Sequence, residues 1–287
     1  MISLIVATVN RVAELERLLG SLDLQTYQDF EVIIVDQNPD DRVLSVIKQH
    51  PGQKIRHLRS GRGLSRARNV ALPHATGEII GFPDDDCWYP PQLLSSIKEG
   101  FDAHPEAGAL FAILRDSENR PIGPKWENSA RFWAKNDVWI RGISPAGFVR
   151  RRVADVIGTF NEKIGIGAAT PYQSGEDVDY FIRPLSFGWR IWYDPSITVH
   201  HPSFHSLDRI TERSYSYALG GGYTLRVHRY PITRFVSILM RSAGGAVLYF
   251  FRGQSALAKS YLWRGAGLLR GYFFGPSDLK KARTLAD

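Results

Sequence analysis

The sequence predicts an α/β fold in which a mostly parallel sheet is flanked by helices, followed by a C-terminal helical appendage. Short apolar runs of strand character alternate with segments whose apolar residues recur at helical spacing. Two of these runs end directly on carboxylates, at Asp36 and at Asp84. Ligands of open α/β sheets collect beyond the carboxyl ends of the strands, so we expect the functional site there.

The strands are predicted from β-branched and apolar runs bounded by turn residues, at 2–9, 30–36, 55–58, 78–82, 109–115, 190–193 and 197–200. The helices are predicted from apolar residues three and four apart, at 11–24, 42–50, 65–72, 90–104 and 175–187. Residues 120–147 are rich in Trp, Gly and Pro and have no clear period, which predicts a loop region.

Composition and charge exclude several classes of protein. A hydrophobic content of 44% in 287 residues is typical of a folded chain with a substantial core. The single cysteine, Cys87, excludes an internal disulfide framework, and no Cys/His spacing indicates a zinc site. Residues 205–287 hold 13 Lys and Arg against four Asp and Glu, so the net charge of +7 belongs to the tail. A protein that wraps nucleic acid with its whole surface is therefore disfavoured.

The triplet Asp84-Asp85-Asp86 follows a predicted central strand. Three adjacent carboxylates repel one another, and a divalent cation relieves that repulsion. Mg²⁺ or Mn²⁺ binds few protein oxygens and completes its shell with phosphate oxygens and water, as a sugar diphosphate requires. An isolated triplet of this kind is also typical of a solvated acidic turn, and only its position after a buried strand favours the metal site.

The segment 61–69 carries glycines and arginines in a pattern suited to phosphate. Gly61 and Gly63 permit close backbone approach, and arginines supply cations, although an exposed basic loop has the same composition. The segment lacks the third glycine and strand context of a dinucleotide-binding fingerprint, and the chain has no Walker A sequence. A dehydrogenase and a P-loop ATPase are therefore disfavoured.

Asp36 at its strand end, the segment 63–69 and the triplet 84–86 occur in the order found in family 2 glycosyltransferases, which the chain resembles over residues 2–205. The resemblance implies a GT-A fold and metal-dependent, inverting transfer from a nucleotide-sugar. Asp84 and Asp86 would be the outer members of the DxD motif, with Asp86 the first choice as direct ligand of Mg²⁺ or Mn²⁺. The residues implied for binding the nucleotide-sugar are Thr8, Asn10, Arg11, Asp36, Arg68, Asn69, Asp84 and Asp85.

A second acidic group, Glu176-Asp177, opens a predicted helix. Inverting transfer requires one carboxylate to accept the proton of the acceptor hydroxyl. By resemblance to the family, Asp177 is predicted as the general base and Glu176 as the neighbour that orients the acceptor. Acidic residues that only complement the helix dipole are the alternative.

The pair His200-His201 ends a predicted strand, where an imidazole would complete the metal shell, as in several GT-A enzymes that the chain resembles. Adjacent strand residues face opposite sides, so one of the two is expected to reach the metal, and His201 is preferred. A purely structural histidine is the alternative.

The tail carries no acidic residue from 213 to 277, but nine Lys and Arg among many aromatic and aliphatic residues. Its longest uncharged stretch, 242–251, is too short to cross a bilayer of about 30 Å. We expect helices lying on an anionic inner-membrane surface. The alternatives are helices packed on the catalytic domain with their arginines in water and, less favoured, nucleic-acid binding.

The predicted organisation is a catalytic domain over 1–205, with a nucleotide-sugar half at 1–115 and an acceptor half at 116–205, and a basic helical region over 206–287. The expected reaction uses a UDP- or dTDP-sugar and a glycan or lipid-linked acceptor, by a cytoplasmic enzyme peripheral to the inner face of the cell membrane. The alternatives are a sugar nucleotidylyltransferase and a non-catalytic nucleotide-binding scaffold. The former normally carries a Gly-rich loop after its first strand, where this chain has Ala-Thr-Val-Asn-Arg at 7–11.

Overall fold

A computed structural model describes residues 1–123, 125–203 and 207–276, with the backbone alone for 207–212. The chain forms two compact units. The first comprises Met1–Arg62, Arg66–Phe160 and Tyr180–Phe204, and the second comprises Gly63–Ser65, Asn161–Asp179 and the described part of His205–Asp287. The predicted boundary at 205–206 lies outside the described residues.

The first unit is built on a sheet of eight strands. They are β1 Ile2–Thr8, β2 Phe30–Asp36, β3 Ile55–Arg59, β4 Ile79–Gly81, β5 Ala107–Arg115, β6 Arg131–Phe132, β7 Gly147–Arg150 and β8 Arg190–His200. Their order across the sheet is β3-β2-β1-β4-β7-β5-β8-β6. β1, β2, β3 and β4 pair in parallel, as do β5 and β8, whereas β7 runs antiparallel to both neighbours and β6 antiparallel to β8.

Ten α-helices accompany the strands in the described chain. They are α1 Val12–Asp23, α2 Arg42–Ile47, α3 Leu64–Ala71, α4 Leu93–Ala103, α5 Lys135–Arg141, α6 Arg151–Ile157, α7 Glu176–Ser186, α8 Leu207–Val227, α9 Ile232–Phe251 and α10 Ser255–Phe273. The helical spacing of apolar residues predicted α1 correctly because its leucines, three and four residues apart, lie on one face of the helix and are all fully buried. β1 and β2 are buried almost throughout, as expected of strands covered on both faces.

Residues 120–147 and the stretch after them were predicted incompletely. The region contains β6, α5 and the start of β7, and α6 follows β7 directly. The two strands predicted at 190–193 and 197–200 form one strand, β8, interrupted by a register shift opposite Phe111 and Ile113. The sheet is mixed but mostly parallel, as predicted, because six of its eight strands share one direction and β7 and β6 run opposite to them.

The second unit contains a bundle of α8, α9 and α10. α9 has the length and apolar composition to cross a membrane, with 17% of its most apolar window buried. This differs from the expectation drawn from the uncharged stretch 242–251, because the helix extends across Arg234 and Arg241. Length and composition do not by themselves distinguish a spanning helix from an interfacial one.

Candidate active site

The carboxyl ends of β1, β2 and β4 meet at one edge of the sheet. Thr8 lies opposite Asp36 in the β1–β2 register, and Ala7 forms a parallel bridge with Asp84. The acidic triplet, which follows β4, therefore lies beside the end of β1. The alternation of strands and helices in the sequence predicted this position.

The end of β8 is fixed to the acidic segment by backbone bonds. Trp88 and His200 exchange both backbone hydrogen bonds, at 3.0 and 3.1 Å. Because His201 follows immediately, its ring reaches the triplet, with Nε2 3.2 Å from Asp86 Oδ1 and 3.8 Å from Asp84 Oδ2. The structure therefore brings His201 to Asp84 and Asp86, which precede it by more than 110 residues in the sequence.

His200 points elsewhere, as strand alternation requires. Its ring stacks on Trp88 at a centroid distance of 5.2 Å, and Nδ1 lies 3.1 Å from the backbone oxygen of Asp116. Arg17 covers the Trp88 ring at 4.3 Å and donates to the backbone oxygen of Asp86. His200 consequently belongs to a stack that supports the triplet, and the structure does not bring it to the carboxylates.

The protonation of His201 makes the cluster suitable for a cation. Its Nδ1 lies 2.6 Å from the Pro202 carbonyl oxygen, which only accepts hydrogen bonds, so Nδ1 carries the proton. In the neutral ring, Nε2 then presents a lone pair to Asp86 Oδ1, a buried oxygen with no hydrogen bond of ordinary geometry among the described residues. At 3.2 Å, these two atoms are spaced as adjacent ligands of one small divalent ion, which lie about 3 Å apart.

Electrostatics support the same arrangement. Burial by itself would raise the pKa of Asp86, but His201 and Arg11 outweigh it and hold that pKa below its ordinary value. Burial by itself would lower the pKa of His201, but Asp86 and Asp84 raise it overall. The cluster therefore attracts positive charge, whether a proton or a metal ion.

Asp85 differs from its two neighbours. Its side chain is buried, and burial raises its pKa to about 6, although Arg11 and the Thr8 hydroxyl act in the opposite direction. Arg11 Nη1 bridges Asp85 Oδ1 at 2.9 Å and Asp86 Oδ2 at 2.5 Å. Arg11, predicted to line the nucleotide pocket, is half exposed and in this structure forms ion pairs with Asp85 and Asp86.

Cys87 adjoins this cluster, and sequence reasoning considered it only as a lone cysteine. The thiol belongs with Asp86 and His201 to a group whose ligand atoms lie within 4.8 Å of one another. Burial, reinforced by Asp84 and Asp86, raises the pKa of the thiol well above its ordinary value. A protonated thiol is a poor ligand, so the donor set that fits a cation consists of carboxylate oxygens and one imidazole. Adjacency to the triplet was the available signal.

Arg68 lies behind the triplet. Its side chain is only 2% exposed, and the guanidinium lies over the rings of Phe82 and Phe160 at 5.7 and 5.1 Å. One of its nitrogens is 3.6 Å from Asp84 Oδ1. Arg68 is thus close to the predicted diphosphate position, held by aromatic faces that leave its charge directed at Asp84.

Asp36 was predicted to contact the base or ribose, but its side chain is fully buried. One oxygen accepts hydrogen bonds from the backbone and side-chain nitrogens of Asn38, and the other lies 3.2 Å from His57 Nε2. Asn38 in turn accepts a hydrogen bond from the backbone of Asn10, an exposed residue in the left-handed region with φ of 59°. Asp36 therefore orients the loop that carries Asn10, and Asn38 was missed by sequence reasoning.

Asn69 was predicted to lie near the nucleotide and sugar. Its amide donates to the Phe160 carbonyl at 2.9 Å and accepts from the Phe160 backbone nitrogen at 2.8 Å. These reciprocal bonds join the end of the arginine-rich segment to a residue 91 positions later, which is a structural contact.

The second unit holds the other predicted site residues. Asp177 lies in the first turn of α7 and is half-buried. Glu176 is buried against Gly165, and a Cβ added to Gly165 would lie 2.8 Å from the carboxyl carbon of Glu176. Leu64 donates its backbone N–H to the Ile166 oxygen at 2.9 Å, so the start of the arginine-rich loop lies beside this turn. Glu176 is therefore enclosed by the turn at Gly165, and its role in orienting the acceptor stays a prediction.

Comparison with known proteins extends these observations. The sequence profile "Glycosyl transferase family 2" matches residues 3–158. The chain is 27% identical to an uncharacterised glycosyltransferase of Haemophilus influenzae, over 70% of this chain and 65% of that protein. It is 25% identical to the succinoglycan biosynthesis protein ExoM of Rhizobium meliloti, over 67% and 62% respectively. The chain thus spans slightly less than two thirds of the length of both relatives.

Solved structures show the same architecture. S. aureus TarS 1–349 in complex with UDP superimposes with a TM-score of 0.60 at 17% identity, over 98% of this chain and 91% of that one. Mannosyltransferase PcManGT from Pyrobaculum calidifontis, in complex with GDP-Man and Mn²⁺, gives 0.60 at 18% identity, over 93% and 86%. These similarities confirm the predicted GT-A fold. Since the family profile covers more than half of the sequence, the chain belongs to glycosyl transferase family 2.

Proposed function

We propose that this chain transfers a sugar from a nucleoside-diphosphate sugar to an acceptor hydroxyl with inversion, using a divalent cation held by Asp84, Asp86 and His201. The observation that carries the proposal is the approach of Asp86 Oδ1 to His201 Nε2 at 3.2 Å, with Asp84 Oδ2 3.8 Å from the same nitrogen. An imidazole among oxygen ligands favours Mn²⁺ over Mg²⁺. When bound, the cation neutralises charge on the departing diphosphate.

The chain's own residues supply the remaining steps. Asp177 accepts the proton of the acceptor hydroxyl as its oxygen bonds to the anomeric carbon. The bond from that carbon to the diphosphate oxygen breaks, and its electron pair leaves with the nucleoside diphosphate. Arg68 stabilises that developing charge from its aromatic pocket beside Asp84, and Arg11 is positioned to move from Asp86 to phosphate when a cation arrives.

The base is tested with an isosteric change. Asp177→Asn keeps the size of the side chain and removes its ability to accept a proton, so we expect turnover to fall by roughly 10²–10⁴-fold. Binding of Mn²⁺ and nucleotide, measured by calorimetry, should stay within a factor of two of the parent chain. Retained turnover would exclude Asp177 as the base, and lost nucleotide binding would show a structural effect instead.

The donor is expected to be a UDP- or dTDP-sugar. Similar structures contain UDP and UDP-GlcNAc in one protein and GDP-Man in another. A thermal-shift comparison of UDP-, dTDP- and GDP-sugars with Mn²⁺ separates the classes, because a ligand that binds only the native state raises the melting temperature. A selective shift with GDP-sugars would overturn the preference.

We further propose that α9 and α10 dock on an anionic lipid surface at the cytoplasmic face of the membrane, where a lipid-linked or polysaccharide acceptor is presented. Each helix carries an exposed apolar strip whose members are four or seven residues apart and so share a face. The strip members are Val236, Met240, Val247 and Phe251 on α9, and Leu262, Leu269 and Phe273 on α10. Met240 and Phe251 are 64% and 81% exposed, which is costly in water.

Charge selects lipid as the occupant. Arg234 and Arg241 lie on one side of α9, roughly a third of a turn from its strip, and Arg252 follows the last residue of the helix. No acidic residue occurs between 213 and 277, so an acidic surface meets only complementary charge. An apolar strip with a basic flank is the pattern of an interfacial helix.

Flotation of the full chain with vesicles tests this surface. We expect binding to phosphatidylcholine vesicles containing phosphatidylglycerol, weak binding to phosphatidylcholine alone, and loss of binding in M240Q/V247Q/F251Q. The matched control, L24Q/V156Q/F187Q, removes three comparably exposed apolar side chains from the first unit and should float normally. Equal flotation of both triple variants overturns the proposal. The proposal is also overturned if the parent chain does not bind vesicles but forms a dimer that the substitutions M240Q/V247Q/F251Q dissociate.

A further inference from the structure

We propose that α8 positions the general base, with Gly220 and His228 as positioning residues for Asp177. The inference rests on the proposed role of Asp177 and adds the part of the fold that sets its place. All the contacts that support it lie within the second unit.

Two of the three residues before α7, Gln173 and Ser174, are hydrogen-bonded to the backbone of α8. Gln173 donates its backbone N–H to the Ser216 oxygen at 3.2 Å, and the Ser174 hydroxyl donates to the Tyr217 oxygen at 2.6 Å. Carbonyl groups inside a helix already accept one bond and retain a second lone pair, so α8 binds this segment without losing its own bonds. The segment that leads to Asp177 thus takes its path from α8.

Two glycines make this contact possible. A Cβ on Gly220 would overlap the Ser174 carbonyl oxygen and lie 2.6 Å from its carbon. A Cβ on Gly175 would lie 2.5 Å from Thr224 Oγ1, and Gly175 has a φ of 94°, which favours glycine. The two backbones therefore touch where any larger residue would separate them, one residue before α7 begins.

The first turn of α7 is fixed on its other side as well. Asp179 Oδ1 lies 2.8 Å from His228 Nε2, near the end of α8, and both side chains are largely buried. The Asp179 backbone N–H closes the turn on the Gly175 oxygen at 2.9 Å. Asp177 thus lies between two anchors to α8, at residues 174–175 and at residue 179.

α8 itself is held firmly. Glycine inside a helix costs about 1 kcal/mol relative to alanine, yet α8 has three in succession at 220–222. A Cβ on Gly222 would overlap the Leu268 oxygen of α10, and one on Gly271 would overlap the Leu219 oxygen of α8. Gly220 therefore contacts the segment of residues 173–175, here called the base segment, whereas Gly222 contacts α10. This difference provides a matched control.

The experiment compares G220A with G222A in the full chain. Both add one methyl group to α8 at a close backbone contact, so both should lower the unfolding midpoint. G220A alone should lower kcat, by about 100-fold, since a displacement near 1 Å costs that much, while donor KM and Mn²⁺ affinity stay unchanged. A parent-like kcat in G220A, or an equal fall in G222A, overturns the proposal.

The His228 contact gives a second test that does not depend on G220A folding. H228Q retains an N–H donor of similar reach and should preserve kcat, whereas H228A should lower it at least tenfold without altering donor KM. Equal kcat in H228A and H228Q overturns the role of His228. D177N distinguishes the two proposals. If D177N is inactive while G220A and H228A have the kcat of the parent chain, Asp177 remains the proposed base and the positioning role of α8 is overturned.

Discussion

Substituting His201 distinguishes its proposed role as a metal ligand from the role of His200, the last residue of β8. In His201→Asn the imidazole that faces Asp86 at 3.2 Å is lost, and the two carboxylates remain. Removal of supporting groups around metal ligands costs 10–100-fold in affinity, so loss of a ligand itself should weaken Mn²⁺ binding by at least about tenfold, or roughly 1.4 kcal/mol. Asp86 keeps its 2.5 Å bond to Arg11, so the metal-free fold should persist.

The matched variant is His200→Asn. This residue stacks on Trp88 and bonds to the Asp116 backbone, so its loss should cost about 1–2 kcal/mol of unfolding free energy. Its ring lies on the other face of β8, so Mn²⁺ affinity should match that of the parent chain. Calorimetric titration with Mn²⁺, together with urea unfolding without metal, measures both quantities. An unchanged Mn²⁺ affinity in His201→Asn, or equal weakening in the two variants, would refute the assignment.

Three further outcomes follow from contacts in the first unit. Gly81→Ala should lower the unfolding free energy by about 1–3 kcal/mol in urea, because its Cβ would lie 2.6 Å from a Phe148 ring carbon; a parent-like midpoint would contradict this. Asn69→Ala should lower the unfolding free energy by about 1–3 kcal/mol, because the Phe160 carbonyl and N–H lose their hydrogen bonds to the Asn69 amide, and nucleotide affinity should change little. A selective loss of nucleotide binding would show direct contact instead. Burial alone would raise the pKa of Glu31, but hydrogen bonds from Ser3 and Thr76 lower it overall. The carboxylate therefore stabilises the fold above pH 4.5 and loses that effect as the pH falls through its depressed pKa, so the gap between parent and Glu31→Gln in urea should narrow between pH 6 and pH 3; a constant gap would show that ionisation is not the cause.

The parts of the site that the sequence predicted are those fixed by strand geometry. Alternation along β8 predicts that His200 and His201 face opposite ways, and the succession of strands and helices brings the ends of β1 and β4 together. These inferences need only the period of a strand and the direction of a parallel sheet. The proximity of the triplet to His201 could therefore be predicted from strand geometry, whereas their role as metal ligands was implied by the family resemblance and stays a prediction.

Other residues depend on partners that residue order does not reveal. Asp36 is the last residue of β2, as predicted, but Asn38 and His57 contact its two oxygens and the side chain is buried. β7 has only four residues, too few for the period of a strand to show in the sequence, so its antiparallel position between β4 and β5 was not predicted. Glu176 resembles a surface acid by position, but the turn at Gly165 encloses it.

The helical tail shows a different limit. Three glycines at 220–222 would interrupt a helix by propensity, yet α8 continues through them. Their cost is offset because backbone groups of the base segment and of α10 approach the helix where a side chain would keep them apart. Tertiary contact thus overrides local preference at the positions where we infer a role.

The proposed metal ligands and the proposed base are held by different kinds of structure. Asp84, Asp86 and His201 continue strands whose backbone bonds set their positions, so little else is needed to keep their atoms within ligand distance. Asp177 follows an irregular segment that has no sheet register to fix it, and such a segment holds one conformation only when its polar groups are satisfied by a rigid neighbour. The bonds of residues 173 and 174 to α8, and the Asp179–His228 pair, meet that requirement. Since α8 is packed in turn on α10, we expect substitutions far along the chain from Asp177 to lower kcat and to leave the affinity for Mn²⁺ unchanged.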